Sequence, residues 1–113
     1  MPDATTKLST TDAAAIVRDF YDSLSHGRMV DALNLIATDA ILQDETGNES
    51  RGIRAIARSL LPYREPNAIA LERIDSSGRD VHVLFRTKRA HRYRGSLSVD
   101  GGRIRSLRLE RTA

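Results

Sequence analysis

IRAIARSLLPYREPNAIALERID, residues 53–75, contains the change on which the fold turns. Ile53, Ile56, Ala57, Leu60 and Leu61 recur at the intervals of one helical face. Pro62 closes that helix, because its ring removes a backbone donor and restricts the residue before it. Past Pro66 the period drops from 3.6 to 2, and NAIALERID reads as a strand ending at the turn SSGRD.

Upstream of this switch the chain reads as helical. TTDAAAIVRDFYDSLSHG places Ala13, Ile16, Val17, Phe20, Tyr21 and Leu24 on one stripe, with Thr11 or Asp12 as the expected cap and Gly27 as the stop. RMVDALNLIATD predicts a second, shorter helix, followed by a short strand, AILQ, and the turn DETGNES. Ser50 is the expected cap of the third helix. Downstream, VHVLFRTK alternates Val81, Val83 and Phe85 against His82 and Arg86, with Leu84 out of phase. RYRGSLSV alternates Tyr93, Gly95, Leu97 and Val99 against arginines and serines, and DGG is a hairpin turn. Ile104, Leu107 and Leu109 of the last strand do not share one parity, which predicts a bulge near Arg105 or Ser106. Three helices followed by an antiparallel meander make an α+β fold whose sheet curls over the helices. The concave space between them is the natural place for a small-molecule site.

Length and composition suit one globular domain. The chain has 113 residues, 40% hydrophobic and 29% charged. Residues 1–10 read as a flexible polar tail and 11–113 as a single domain of a cytoplasmic protein, with no apolar run long enough for a membrane. Without cysteine there is no disulfide, thiol nucleophile or thiolate metal site, and three scattered histidines predict no metal centre and no cofactor. Charge is divided unevenly. Residues 1–50 carry three Lys/Arg against nine Asp/Glu, whereas residues 51–113 carry fifteen against six. The alternating arginines of the last strands predict a basic outer sheet face. Nucleic acid is a poor match for it, since aromatic content is 4% with no tryptophan and no helix is basic along its length.

Asp44, in ILQDETG, has two readings. Alternation puts it on the same strand face as Leu42, where a carboxylate in apolar surroundings gains basicity. Alternatively, ahead of Thr46–Gly47, it initiates a turn by accepting backbone amides.

AIVRDFYDSLSHGRMVDALNLIATDAILQDETGNESRGIRAIARSL (residues 15–60) and VDGGRIRSLRLE (99–110) resemble, in order and spacing, the nuclear transport factor 2-like superfamily, in its SnoaL-like (polyketide-cyclase-like) and ketosteroid-isomerase-like branches. The resemblance implies a cone-shaped barrel of three N-terminal helices on a curved antiparallel sheet, usually a homodimer, with a pocket for a small organic ligand. It implies Asp44 as catalytic general base in a cofactor-free isomerase or cyclase. The alternative is a non-catalytic ligand-binding or dimerisation module whose basic sheet face meets an anionic partner. Phe20, Leu42, Phe85, Tyr63, Tyr93, Arg89 and His91 are the expected ligand-binding residues. The chain departs from the isomerase pattern at two places. Phe20 stands where a tyrosine hydroxyl is needed, with Tyr21 a helical step of about 100 degrees away, and Gly95 or Ser96 stands where a second acid is needed. The two aspartates bridged by an arginine of the superfamily's epoxide hydrolases are not evident either. His82 reads as an exposed strand residue, and His26 as a helix-end residue bonding the last carbonyls.

Overall fold

The computed structural model describes residues 2–88 and 91–112, with side chains from Ala13 onward. Helix α1 (Pro2–Ser25) buries Val17, Phe20, Tyr21 and Leu24 along one face, the stripe that the spacing predicts. It begins upstream of Thr11 and Asp12, so neither residue starts it. Its end follows the expectation. Gly27 adopts φ +74°, and the N–H groups of Gly27 and Arg28 bond the Leu24 and Ser23 carbonyls at 3.0 and 2.8 Å. A Cβ at Gly27 would also stand 3.1 Å from the Pro66 ring, so this corner takes only glycine.

Helix α2 (Met29–Leu33) is shorter than its sequence pattern, because the chain is already extended in strand β1 (Ile36–Gln43). The physical reason lies far along the chain: β1 runs parallel to the last strand, and the Ile104 N–H bonds Leu35 O at 2.8 Å. After the turn, β2 (Glu49–Arg51) folds back antiparallel on β1, a strand too short and polar for periodicity to reveal. Helix α3 (Ile53–Leu60) buries Ile56 and Leu60 and passes into the 3-10 turn Leu61–Tyr63 that Pro62 opens. Ser50 does not cap it. Gly52 holds the N-cap position, and the Ser50 hydroxyl bonds that of Ser59 at 2.6 Å.

Strands β3 (Ile69–Ser77), β4 (Asp80–Thr87), β5 (Arg92–Asp100) and β6 (Arg103–Arg111) form the meander. The six strands lie in the order β2-β1-β6-β5-β4-β3. The sheet is therefore mixed, a correction to the wholly antiparallel expectation: β1 joins β6 in parallel across most of the chain. The bulge falls where parity predicts it. Ser98 faces Ser106 while Val99 faces Ile104, so Arg105 is the extra residue that lets Ile104, Leu107 and Leu109 all point inward. A second bulge at Glu72 interrupts β3. Both helices of useful length pack on one sheet face, α1 against β3 to β6 and α3 against β1 and β2. Their shared core holds Val81, Val83, Phe85, Leu97 and Val99. Among the described residues no helix is long and apolar enough to cross a membrane.

Candidate functional site

The turn after β1 decides the role of Asp44. Its Oδ1 accepts the Thr46 N–H at 2.9 Å, the Thr46 hydroxyl at 2.6 Å and the Asn48 N–H at 3.0 Å, while the Gly47 N–H closes the turn on Asp44 O at 3.0 Å. The Thr46 hydroxyl contributes most to holding the carboxyl below the ordinary range, and the Asn48, Thr46 and Gly47 amides reinforce it; partial burial opposes them and is outweighed. A general base needs the opposite shift. Geometry thus favours the turn-forming reading over the catalytic one: the side chain that shares a face with Leu42 in the strand pattern bends back onto its own turn. Asp44→Ala is expected to cost about 1 kcal/mol at neutral pH, and Asp44→Asn far less, since the amide oxygen still accepts the turn donors. Because the folded pKa is depressed, the carboxylate's contribution is present above pH 3.8 and is lost as pH falls through the lower folded value. Denaturant titrations of wild type and Asp44→Ala at pH 7 and pH 2 check this; an equal gap at both pH values would contradict it.

The interior has a different chemistry. All five aromatic residues of the chain, two Phe and three Tyr, gather in one cluster. Phe20 meets Tyr21 edge-on at 5.2 Å between ring centroids, Tyr21 leans on Phe85 at 5.3 Å, and Phe85 stacks on Tyr93 at 5.5 Å. Tyr63, half-buried on the 3-10 turn, packs against the same core. Leu42 is buried there too. Phe20, Leu42, Phe85, Tyr63 and Tyr93 thus lie in or against one core cluster. His91 is half-buried in the β4–β5 connection, where its carbonyl accepts the Thr87 N–H at 2.9 Å. Arg89 lies outside the described residues.

Tyr21 is the residue that the family comparison misplaced. It does not turn away from the interior: it is 2% exposed, and its hydroxyl has no hydrogen-bond partner among the described residues. The tip of the ring reaches β5 at Gly95, where an added Cβ would stand 3.0 Å from the hydroxyl oxygen. Its signal was present in the helical stripe, where it follows Val17 by four residues and precedes Leu24 by three. A stripe wide enough for Phe20 and Tyr21 together buries both. Burial, and then the neighbouring Tyr63, raise the Tyr21 phenol far above its ordinary value. Burial pushes Tyr63 up to about 12, with Tyr93, Glu45 and Asp44 adding to the shift. Both phenols therefore stay protonated near neutral pH. Protonated phenols are hydrogen-bond donors, and neither Tyr21 nor Tyr63 is a base near neutral pH.

The remaining charged residues lie outside. His82 is exposed and 3.3 Å from the Ser96 hydroxyl, as alternation predicts. The His26 Nδ1–H donates to Asp22 O at 2.8 Å, the helix-end role expected of it. Arg28 lies 3.3 and 3.8 Å from Asp22 and Asp31, so two aspartates do share an arginine, but at an exposed helix corner and not in the core. The outer sheet face is less basic than its sequence suggests, because Arg73, Arg92, Arg105 and Arg108 pair with Asp75, Glu72, Asp39 and Glu110. Among the described residues no group of three metal-ligating side chains converges.

Neither a protein-family model nor a curated protein matches the chain. Solved structures do. An NTF2-like protein of unknown function from Mesorhizobium loti superposes with a TM-score of 0.79 at 18% identity, covering 92% of this chain and 93% of that one. The chain has the NTF2-like fold. An LEH-like epoxide hydrolase from M. tuberculosis matches with a TM-score of 0.74 at 20% identity, over 91% of this chain and 84% of that one. A ketosteroid isomerase-like protein from Kribbella flavida matches at 0.73 and 17% identity, over 92% and 80%. NTF2-like neighbours thus include enzyme-like proteins and proteins of unknown function, and the fold alone names no reaction.

Proposed function

We propose that this NTF2-like protein is a binding domain for a small, largely apolar molecule that presents a carbonyl or hydroxyl oxygen to Tyr21 in the aromatic interior. One observation carries the proposal: the buried Tyr21 hydroxyl, which has no partner among the described residues. Leaving such a donor dry costs about 1–3 kcal/mol, so a fold that retains it gains when a ligand oxygen accepts the bond. The Phe20 and Phe85 rings packed on Tyr21 make its surroundings apolar, and Tyr21 also lines a groove between α1 and β3. The competing reading, a cofactor-free isomerase or cyclase, asks Asp44 for basicity that its turn removes.

Tyr21→Phe tests the proposal through two opposite effects. The free protein is expected to gain about 1 kcal/mol, because an unpaired buried hydroxyl disappears. Affinity for a ketone or phenol found by thermal-shift screening is expected to fall about tenfold, the worth of one buried hydrogen bond. A variant that binds every such compound as well as wild type would end the Tyr21 reading. Turnover of any of them by wild type but not by Asp44→Asn would restore the catalytic alternative.

A further inference from the structure

The sheet has two edges, and they are treated differently. At one, β2 is three residues long and charged, which blunts it as a template for further strands. At the other, β3 is nine residues long and, among the described residues, pairs only with β4. Its second half is protected by the Glu72 bulge and by Arg73 and Asp75. Its first half, Ile69–Leu71, carries no charge and no bulge.

Backbone direction along that half follows from two bonds. The Lys88 N–H bonds Ala68 O at 3.2 Å, whereas the Thr87 N–H turns away to His91 O. Alternation then aims the Ala70 main chain at β4 and the N–H and C=O groups of Ile69 and Leu71 at the open edge. Among the described residues those edge groups have no hydrogen-bond partner, while the preceding outward N–H, that of Asn67, bonds Ser25 O of α1 at 2.7 Å. A groove of about 340 Å³ runs between α1 and this edge, lined by Arg18, Asp22, Asn67, Ile69 and Leu71 among others. The Ile69 side chain is 3% exposed, so Ile69 meets the groove through its main chain. A second groove of about 300 Å³ shares Asn67 and Ala70 with the first and is walled by Arg86 and Lys88. Neither Arg18 nor Arg86 has an ion pair among the described residues, and Lys88 is only 3.7 Å from Glu65.

We infer that the β3 edge between Asn67 and Leu71 docks an extended, acidic segment of a partner polypeptide, which adds a strand to the sheet. Main-chain bonds to Ile69 and Leu71 supply register. Successive side chains of an extended segment point to opposite faces, which directs one acid toward Arg18 and the next toward Arg86 and Lys88. The two grooves share Asn67 and Ala70, so one extended segment can reach both. Nucleic acid fits poorly, since Tyr21, which also lines the first groove, is 2% exposed and presents no free ring face for base stacking.

The test is a ¹⁵N-amide titration of the full chain with blocked hexapeptides. One repeats Glu-Glu-Thr, which places acids on both faces of an extended segment, one Lys-Lys-Thr, and one Glu-Glu-Pro, the last having no N–H at its proline positions. The acidic threonine peptide is expected to move the Ile69 and Leu71 amides in a saturable way, with affinity falling about tenfold in Arg18→Gln and again on raising salt. The lysine and proline peptides are expected to bind at least tenfold more weakly. Equal binding of the proline peptide would reduce the contact to charge alone and overturn strand addition. So would equal shifts from a short oligodeoxythymidine, absence of saturable binding by the acidic peptide, or Ile69 and Leu71 amides already protected from hydrogen exchange in the free protein.

Discussion

Phe85→Ala is expected to destabilise the protein by about 3–5 kcal/mol, the range for emptying a large aromatic site in a packed core. Phe85 is 1% exposed and is the middle ring of the cluster, between Tyr21 at 5.3 Å and Tyr93 at 5.5 Å. Its loss removes apolar burial and both aromatic contacts together, and the rigid neighbouring rings have little freedom to collapse into the space. Against a total stability of about 5–15 kcal/mol, that is a large fraction. Urea denaturation measures it as a lower midpoint at unchanged slope. A loss below about 1 kcal/mol would mean that the cluster is not the centre of the core.

Gly95→Ala is expected to cost about 1–3 kcal/mol, although it adds one methyl group. The new Cβ would stand 2.8 Å from Val83 Cγ2 and 3.0 Å from the Tyr21 hydroxyl oxygen. Neither neighbour moves easily: valine is stiff at χ1, and the tyrosine hydroxyl is the end of a rigid ring held by Phe20 and Phe85. Gly95 is therefore the notch into which Tyr21 fits, and the two residues should be energetically coupled. In a double-mutant cycle, Gly95→Ala is expected to cost less on the Tyr21→Phe background, because the hydroxyl is no longer in the way. Additivity within about 0.3–0.5 kcal/mol would show that the contact is not the source of the cost.

Much of this site was legible in the sequence once its residues were placed on faces. Phe85 and Tyr93 lie on the inward parity of their strands, and Phe20 and Tyr21 lie on the helical stripe. The family comparison was less informative at the detail that counts. It aligned Phe20 with a missing hydroxyl and passed over Tyr21, whose hydroxyl is inside. It also gave Asp44 a role that depends on the direction of one carboxylate. That direction is set by three donors from Thr46 and Asn48, a local geometry that a strand period cannot register. Likewise, counting arginines suggested a basic sheet face, but strand neighbours supply carboxylates to four of them.

By itself the sequence determined the α+β class, the order of most elements, the turn at Gly27 and the bulge at Arg105. Each is written in local spacing, because the period of burial along a few residues reflects which side faces the core. Only the tertiary structure decided that β1 runs parallel to β6, that the Tyr21 hydroxyl ends against Gly95, and that β3 lies at an edge of the sheet. Those outcomes depend on which segments, dozens of residues apart, come to lie side by side. Pairing of that kind leaves no periodic trace in either segment alone.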